Sequence, residues 1–395
     1  RHQAKEDEPF RDAEPGKILH EVRFGELARL GKIPQTPYYG SIDSTPLFLI
    51  VLARHAAWVG SLDLFHELRS NVDRALGWID RTIARGDGRY LAYDSTTKRG
   101  LANQGWKDSG DAIMTADGSI AKPPIALAEV QGYVHAAWLG IAELFDRDGD
   151  NARADDLRHL ADELRDRFER DFWSDRLGCY VLALAAGGER CEVVASNAGQ
   201  VLWGGIAGPD HASRVARRLL DDDMDSGWGI RTLSTKAVAT NPIGYHLGTV
   251  WPHDNGLIAE GFARYGLHDA VDRVLIGLLE ASTDFPQQRL PECFAGFDRD
   301  EFEVPVRYPV ACHPQAWAAG SMPHLVTTML GLVPEAFDRR LRIVRPRLPA
   351  FLEHVELEGV QVGDARATLS FERRDDRTDV AVRDVTGDLD VAVET

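Results

Sequence analysis

The chain has 395 residues, of which 44% are hydrophobic and 27% charged, and its formal net charge is −17. That is enough apolar material for a large core beneath an ordinary globular surface. The negative balance excludes the basic patch from which binding to nucleic acid or an anionic membrane starts, so neither is expected as a partner.

Apolar spacing predicts helices that come in pairs joined by short turns. The first pair covers 45–60 and 63–85, broken at Gly60-Ser61; Leu47, Leu52 and Trp58 belong to one helix, and Leu68, Val72, Leu76 and Ile79 stripe the other. A second pair spans 123–147 and 150–173, with Asp-Arg-Asp-Gly-Asp as its turn. Shorter helices follow within 194–222, then 249–265 with 267–284, and a long helix near 312–331. Between the pairs lie loops rich in Gly, Pro and aromatic residues, at 31–44, 86–122, 174–192, 225–248 and 285–311. Short turns on one side and long polar-aromatic loops on the other predict a ring of helices with one functional face. Nothing alternates strand with helix, which disfavours a parallel-sheet fold. After Pro334 the period changes to two, in Val355 and Leu357, Val360 and Val362, Ala367-Leu369-Phe371, Val380 and Val382, and Leu389-Val391-Val393. The expected organisation is therefore a mainly α toroid over residues 1–334 and a small antiparallel β appendage over 335–395.

No run approaches 18 apolar residues, so no transmembrane helix is expected. Cys179, Cys191, Cys293 and Cys312 show no CxxC and no Cys/His ligand spacing. Neither a metal nor a cofactor is expected, and a reducing cytoplasm is the default compartment. The sequence begins with Arg1 rather than Met and has no signal-like apolar stretch, which reads as a truncated start.

The chemistry-bearing residues gather in the long loops. Tyr38-Tyr39-Gly40-Ser41-Ile42-Asp43-Ser44-Thr45-Pro46 sets two aromatics and an acid before a helix start; Asp43 or Ser44 serves there either as an N-cap or in binding. Asn103-Gln104-Gly105-Trp106-Lys107-Asp108-Ser109-Gly110-Asp111 puts an indole beside two carboxyls. An indole face stacks on a sugar ring, and a partly dry carboxylic acid keeps a raised pKa and can protonate a leaving oxygen. A packed turn is the plainer reading of that loop. Glu292 lies between Pro291 and an apolar run, where it needs either a partner such as Arg289 or Arg307 or a cavity. His246 and His253 are separated by a Gly and a Pro without ligand spacing, which favours hydrogen bonding to hydroxyls, or helix capping, over a metal. Trp106, Trp228, Trp251 and Trp317 all fall in or beside long loops. No Ser-His-Asp elbow, P-loop or dinucleotide fingerprint is present, and two carboxylates in an aromatic pocket suit glycoside hydrolysis.

EPGKILHE at 14–21, YYGSIDSTPLFL at 38–49, NQGWKDSGD at 103–111, GTVWPHDNGLIAEG at 248–261, LPECFAG at 290–296 and CHPQAWAAGS at 312–321 together resemble the amylo-α-1,6-glucosidase (glycogen-debranching) family. That resemblance implies an (α/α)6 toroid and an inverting α-glucosidase acting on α-1,6 branch linkages of glycogen-like glucans. It places the acid at Asp108 and the base at Glu292. It places substrate contacts at Tyr39, Asp43, Trp106, Lys107, His246, Trp251, His253, Gln315 and Trp317; Asp111, on the same loop as Asp108, is a further candidate for the site. Relatives open this domain with an inner helix led by a Gly-Arg-Asp motif that is absent from the sequence, so the ring is expected to lack its N-terminal helices. Hydrolysis of a small α-glycoside such as trehalose, a glucan-binding module without turnover, and a helical scaffold for protein partners are the competing expectations.

Overall fold

The computed structural model describes residues 2–94, 100–375 and 377–394. Residues 2–43 hold little regular structure beyond the single turn α1 (Glu26–Arg29) and run as a strap along the outside of a helical ring. The ring comprises α2 (Ser44–Val59), α3 (Asp63–Arg85), α4 (Ala128–Arg147), α5 (Asn151–Phe172), α6 (Asn197–Trp203), α7 (Pro209–Leu219), α8 (Pro252–Arg264), α9 (His268–Thr283) and α10 (Ala316–Met329). These are the predicted pairs with trimmed ends. The clearest shift is at the start of α4, which begins only at Ala128: Pro123-Pro124 interrupts the predicted helix, and the residues after it form strand β1 (Ala126–Leu127).

The even-numbered helices form the inner layer, α2 against α4, α4 against α6, α6 against α8 and α8 against α10. The odd-numbered helices α3, α5, α7 and α9 each pack outside the inner helix before them. Composition explains the layers. α5 carries charge on its outer face and buries Leu157, Ala161, Leu164 and Phe168 at helical spacing, whereas α6 is buried along its whole length. The inner helices approach closely because small residues line their contacts. A Cβ on Gly204 would lie 2.5 Å from the Gly132 backbone, and one on Gly261 would lie 2.7 Å from Trp203 N. Each buried large side chain of this core contributes roughly 1.5–3 kcal/mol.

Among the described residues the ring has five inner and four outer helices, and α2 and α10 share no packed face. Both helices are apolar around much of their circumference, yet Val51 on α2 and Ala316, Ala319, Gly320 and Pro323 on α10 face outward. A polar clasp ties this side together at the far end: Arg54 on α2 and His324 on α10 both reach Glu260 on α8, at 2.7 and 2.8 Å. Trp203 Nε1 donates to the same carboxylate at 2.6 Å.

Two short antiparallel pairings decorate the long connections: β1 with the distant β4 (Ala183–Leu184), and the hairpin of β2 (Trp173–Ser174) with β3 (Cys179–Tyr180). The C-terminal strands are β5 (Leu332–Glu335), β6 (Arg340–Val344), β7 (His354–Val362), β8 (Ala365–Arg374), β9 (Arg377–Thr386) and β10 (Asp390–Glu394). β7, β8 and β9 form an antiparallel sheet in which Leu357, Leu369 and Val382 share one row and Val355, Phe371 and Val380 another. β5 pairs antiparallel with β6, while β10 joins β6 in parallel, a detail that alternation cannot reveal. This β unit lies against α2, with Gly363 N donating to Trp58 O at 2.8 Å. No described helix is long and apolar enough to cross a membrane.

Candidate active site

Because each helical pair closes with a short turn (60–62, 148–150, 204–208 and 265–267), the inner helices all run in one direction and present their N-termini at one end of the ring. The long connections 86–127, 173–196, 220–251 and 284–315 return there as well. The predicted loop 86–122 runs through 95–99, which lie outside the described residues. At this end sit the acid loop, the base loop and an aromatic wall.

The acid loop is held rigidly from below. Tyr93 donates to Asn103 Oδ1 at 2.8 Å, Asn103 Nδ2 donates to Ser109 O at 2.7 Å, and Ile42 N donates to Gln104 O at 2.7 Å. Asp108 emerges from this scaffold about one-third exposed, with Oδ2 3.8 Å from His20 Nε2. Burial pushes its pKa upward, and the nearby carboxylates Asp43 and Glu21 push the same way while His20 opposes them. Asp43 itself is buried at the head of α2, accepts from Ser41 at 2.5 Å and is likewise shifted upward by burial. The α2 start is capped neither by Asp43 nor by Ser44; Ser44 N donates to Ser41 Oγ at 3.1 Å.

The aromatic wall joins the acid loop to the base loop. Trp106 lies edge-on to His246, Trp251 and His253, with ring centres 5.6, 5.7 and 5.0 Å away. His246 stacks on Trp251 at 5.0 Å, and His253 stacks on Trp317 at 4.1 Å. Tyr245 packs on His246, Trp251 and Tyr308. Burial drives His246 well below the ordinary imidazole pKa and His253 down to about 3, so both rings are neutral near pH 7. Ser109 donates to His246 Nδ1 at 2.9 Å, which leaves Nε2 as the donor nitrogen.

Glu292 lies beside Tyr245 at the edge of this wall. Cys312 N donates to its Oε2 at 3.0 Å and Gln315 Nε2 to its Oε1 at 3.4 Å. Among the described residues no Arg or Lys pairs with it; Arg289 instead offers its carbonyl to His313. Tyr245 connects the two carboxyls: burial first, then the charge and hydrogen bond of Glu292 and the charge of Asp108, raise its pKa.

Beneath the wall lies a dry polar floor. Lys107 points away from the opening and donates to Thr232 O at 2.6 Å. Its burial lowers its pKa to about 8, opposed by Asp254 and Glu129. Glu129, at the first turn of α4, is raised to about 7 by burial, and neither of its oxygens has a geometrically sound partner. Asp254 accepts from Gln200, which in turn accepts from Tyr133. Trp106 Nε1, His253 Nδ1 and both polar atoms of the Asn197 side chain are also buried without a partner.

The structure thus brings together Asp108, Asp43, Trp106, His246, Trp251, His253, Glu292, Gln315 and Trp317. Lys107 belongs to the floor, and Asp111 is exposed at the rim near Tyr308. Tyr39 turns away, packs with Ala4 and Ala13 and donates to His2 O at 2.8 Å. Trp228 also stands apart, beneath Arg299 and against Gly277. Sequence reasoning passed over His20, Tyr245 and Glu129. His20 and Tyr245 sit inside quoted motifs, and an acid one turn into an apolar helix was the available signal for Glu129.

Comparison with solved structures gives a sialidase at TM-score 0.66 and 14% identity, covering 88% of this chain and 32% of that one. The GH78 family rhamnosidase of Bacillus sp. GL1 follows at TM-score 0.64 and 15% identity, covering 89% and 33%. A GH63 mannosylglycerate hydrolase from Thermus thermophilus in complex with glucose gives TM-score 0.43 and 16% identity over 51% of this chain and 48% of that one. The chain therefore spans about a third of the length of the first two, and the likeness is one of fold, a helical toroid. No curated protein matches it. The family model for the mannosylglycerate hydrolase MGH1-like glycoside hydrolase domain matches residues 44–298, from the first inner helix through both candidate carboxyls. On that match the chain belongs to the MGH1-like glycoside hydrolase family.

Proposed function

We propose that the protein hydrolyses α-glucosidic bonds with inversion, Asp108 protonating the leaving oxygen while Glu292 activates the attacking water. The observation that supports this best is that two carboxyls of unlike surroundings lie in the long loops gathered at one end of the ring, with Tyr245 hydrogen-bonded to Glu292 and subject to the charge of Asp108. Asp108 is shifted towards its protonated form, as a donor needs. Glu292 is oriented by Cys312 N, Gln315 and Tyr245, which hold its carboxylate in place to take a proton from water. In an inverting mechanism one carboxyl protonates the leaving oxygen while the other takes a proton from water that attacks the opposite face of the sugar, and their spacing leaves room for that water. Trp317 and the partly exposed Trp106 supply flat apolar surface for the ring, with buried Trp251 packed behind them, and neutral His246 and His253 can bond to hydroxyls without adding charge.

The motif resemblance favours α-1,6 branch linkages of glycogen-like glucans as substrate. Membership of the MGH1-like family favours a second reading, a small α-glycoside such as mannosylglycerate or a related metabolite. The four unpaired cysteines support a reducing, cytoplasmic setting. We further propose that residues 1–334 form the catalytic unit and 335–395 an accessory unit. The test is sugar release from panose, isomaltose, trehalose and mannosylglycerate by the wild type and by Asp108→Asn. The expected result is turnover of at least one of them, lost on the order of 10²–10⁴-fold in the variant. Binding without release from any of them would instead support a glycan-binding module.

A further inference from the structure

His20 lies in the strap, outside every helix, yet its position is closely fixed. Its backbone N–H donates to Tyr38 O at 2.8 Å, and its ring stands edge-on to the Tyr38 ring with centres 6.3 Å apart. Tyr38 is fully buried, donates to Asp12 Oδ2 at 2.9 Å and accepts from Leu101 N at 2.7 Å. The imidazole is therefore carried on a rigid post, with Nε2 3.8 Å from Asp108 Oδ2.

The charges around it come from three directions. Asp108 faces it from the acid loop and Asp43 from the head of α2. Glu21 is its own neighbour, already engaged by Arg23 at 2.9 Å. Lys107, adjacent to Asp108 in sequence, is turned to Thr232 on the floor. Of the charges that act most strongly on Asp108, Asp43 and Glu21 hold the proton on, and His20 alone favours its release.

We propose that His20 is a positioning residue for the proton donor, the counter-charge that sets the pH at which Asp108 gives up its proton. The inference rests on Asp108 being the acid of the proposed reaction. When Asp108 transfers its proton to the leaving oxygen, a carboxylate forms beside two others. A protonated His20 at this distance balances the new charge, and a neutral one leaves it unfavoured. The imidazole is about one-quarter exposed, so it stands between solvent and the acid.

The test reads the proton on Asp108 directly. In protein labelled with 13C at aspartate carboxyls, the Asp108 resonance is the one lost in Asp108→Asn, and its shift is followed against pH. Two unit charges about 4 Å apart in a half-wet site shift one another by about one pH unit. A neutral and a permanently charged residue 20 should therefore set Asp108 midpoints about one unit apart: His20→Gln should raise the midpoint by most of that unit, and His20→Lys, a lasting cation, should hold it at or below the wild-type value. His20→Asn, with thermal unfolding as a control, carries the comparison if the lysine variant does not fold. A midpoint in the folded neutral variants within about 0.3 unit of wild type would overturn the inference. The titration needs no substrate, so it is independent of the function: sugar release retained by Asp108→Asn would refute the acid assignment without altering the titration result.

Discussion

Replacing Lys107 with Met tests whether the polar floor is what holds the acid loop in place. Lys107 is 2% exposed, its ammonium donates to Thr232 O alone among the described residues, and it feels the carboxyls of Glu129 and Asp254 in a buried site. Removing one partner of a buried charge set leaves the others uncompensated and costs about 3–5 kcal/mol. Unfolding entropy of about 2.1 cal/mol/K per residue makes that a fall of roughly 4–6 °C in Tm for a chain of this size. The pH dependence has a definite sign. Glu129, raised from 4.5 to about 7, contributes stability that is fully present below pH 4.5 and is lost as pH rises through 7. Lys107, lowered from 10.5 to about 8, contributes stability present above 10.5 and lost as pH falls through 8. Wild type should therefore lose stability from these two groups between about pH 4.5 and 7 and recover some between 8 and 10.5. Lys107→Met should abolish the second change, and adding Glu129→Gln should restore part of the lost stability. Urea unfolding of the two single variants and the double variant at several pH values measures this. A Lys107→Met protein within about 1 kcal/mol of wild type, with no coupling to Glu129→Gln, would refute the reasoning.

Three further outcomes are expected. Glu292→Gln should lower kcat on the order of 10²–10⁴-fold with little change in Tm, measured on whichever glycoside the wild type turns over. Trp317, 41% exposed and stacked on His253, offers its free face to a sugar; Trp317→Ala should raise KM about 5–30-fold and leave kcat nearly unchanged. Burial would raise the Glu260 pKa, but Arg54 and His324 hold it well below the ordinary carboxylate range, so its contribution is present above pH 4.5 and lost as pH falls. Glu260→Gln should cost about 1–2 kcal/mol near neutrality and flatten acid unfolding, read by circular dichroism against pH.

The helices were legible in the sequence because each outer helix must be apolar along one stripe only, and four such stripes alternate with inner helices. The loops that carry Asp108 and Glu292 stood out for a related reason: a Trp or Pro beside an acid in a Gly-rich connection has little to gain from ordinary core packing. Side-chain direction in irregular chain was not legible. Tyr38 and Tyr39 are adjacent in extended backbone and so point opposite ways; only one can stand by the site, and the structure gives that place to Tyr38. His20 lies in a segment without periodicity, brought to Asp108 by pairing with Tyr38 and by the bond of Ile18 N to Thr45. Glu129 was hidden because its helix reads as apolar, and a single acid one turn from the start resembles a helix-dipole partner. The parallel β10–β6 pair depends on a return of the chain to an earlier strand, which local alternation does not encode. The family match names the MGH1-like glycoside hydrolases and covers both carboxyls, while the finer resemblance to amylo-α-1,6-glucosidases remains a statement about substrate to be tested on the enzyme.

The configuration of the first sugar released tests the central claim most directly, because it reports which face of the bond the nucleophile attacks. Proton NMR within the first minutes of hydrolysis of an α-glycoside, before mutarotation, separates the two anomers. The account predicts that the β-anomer appears first and the α-anomer grows in later. An α-anomer formed first would require a covalent intermediate and two displacements, and would contradict the assignment of Asp108 and Glu292 as an inverting pair.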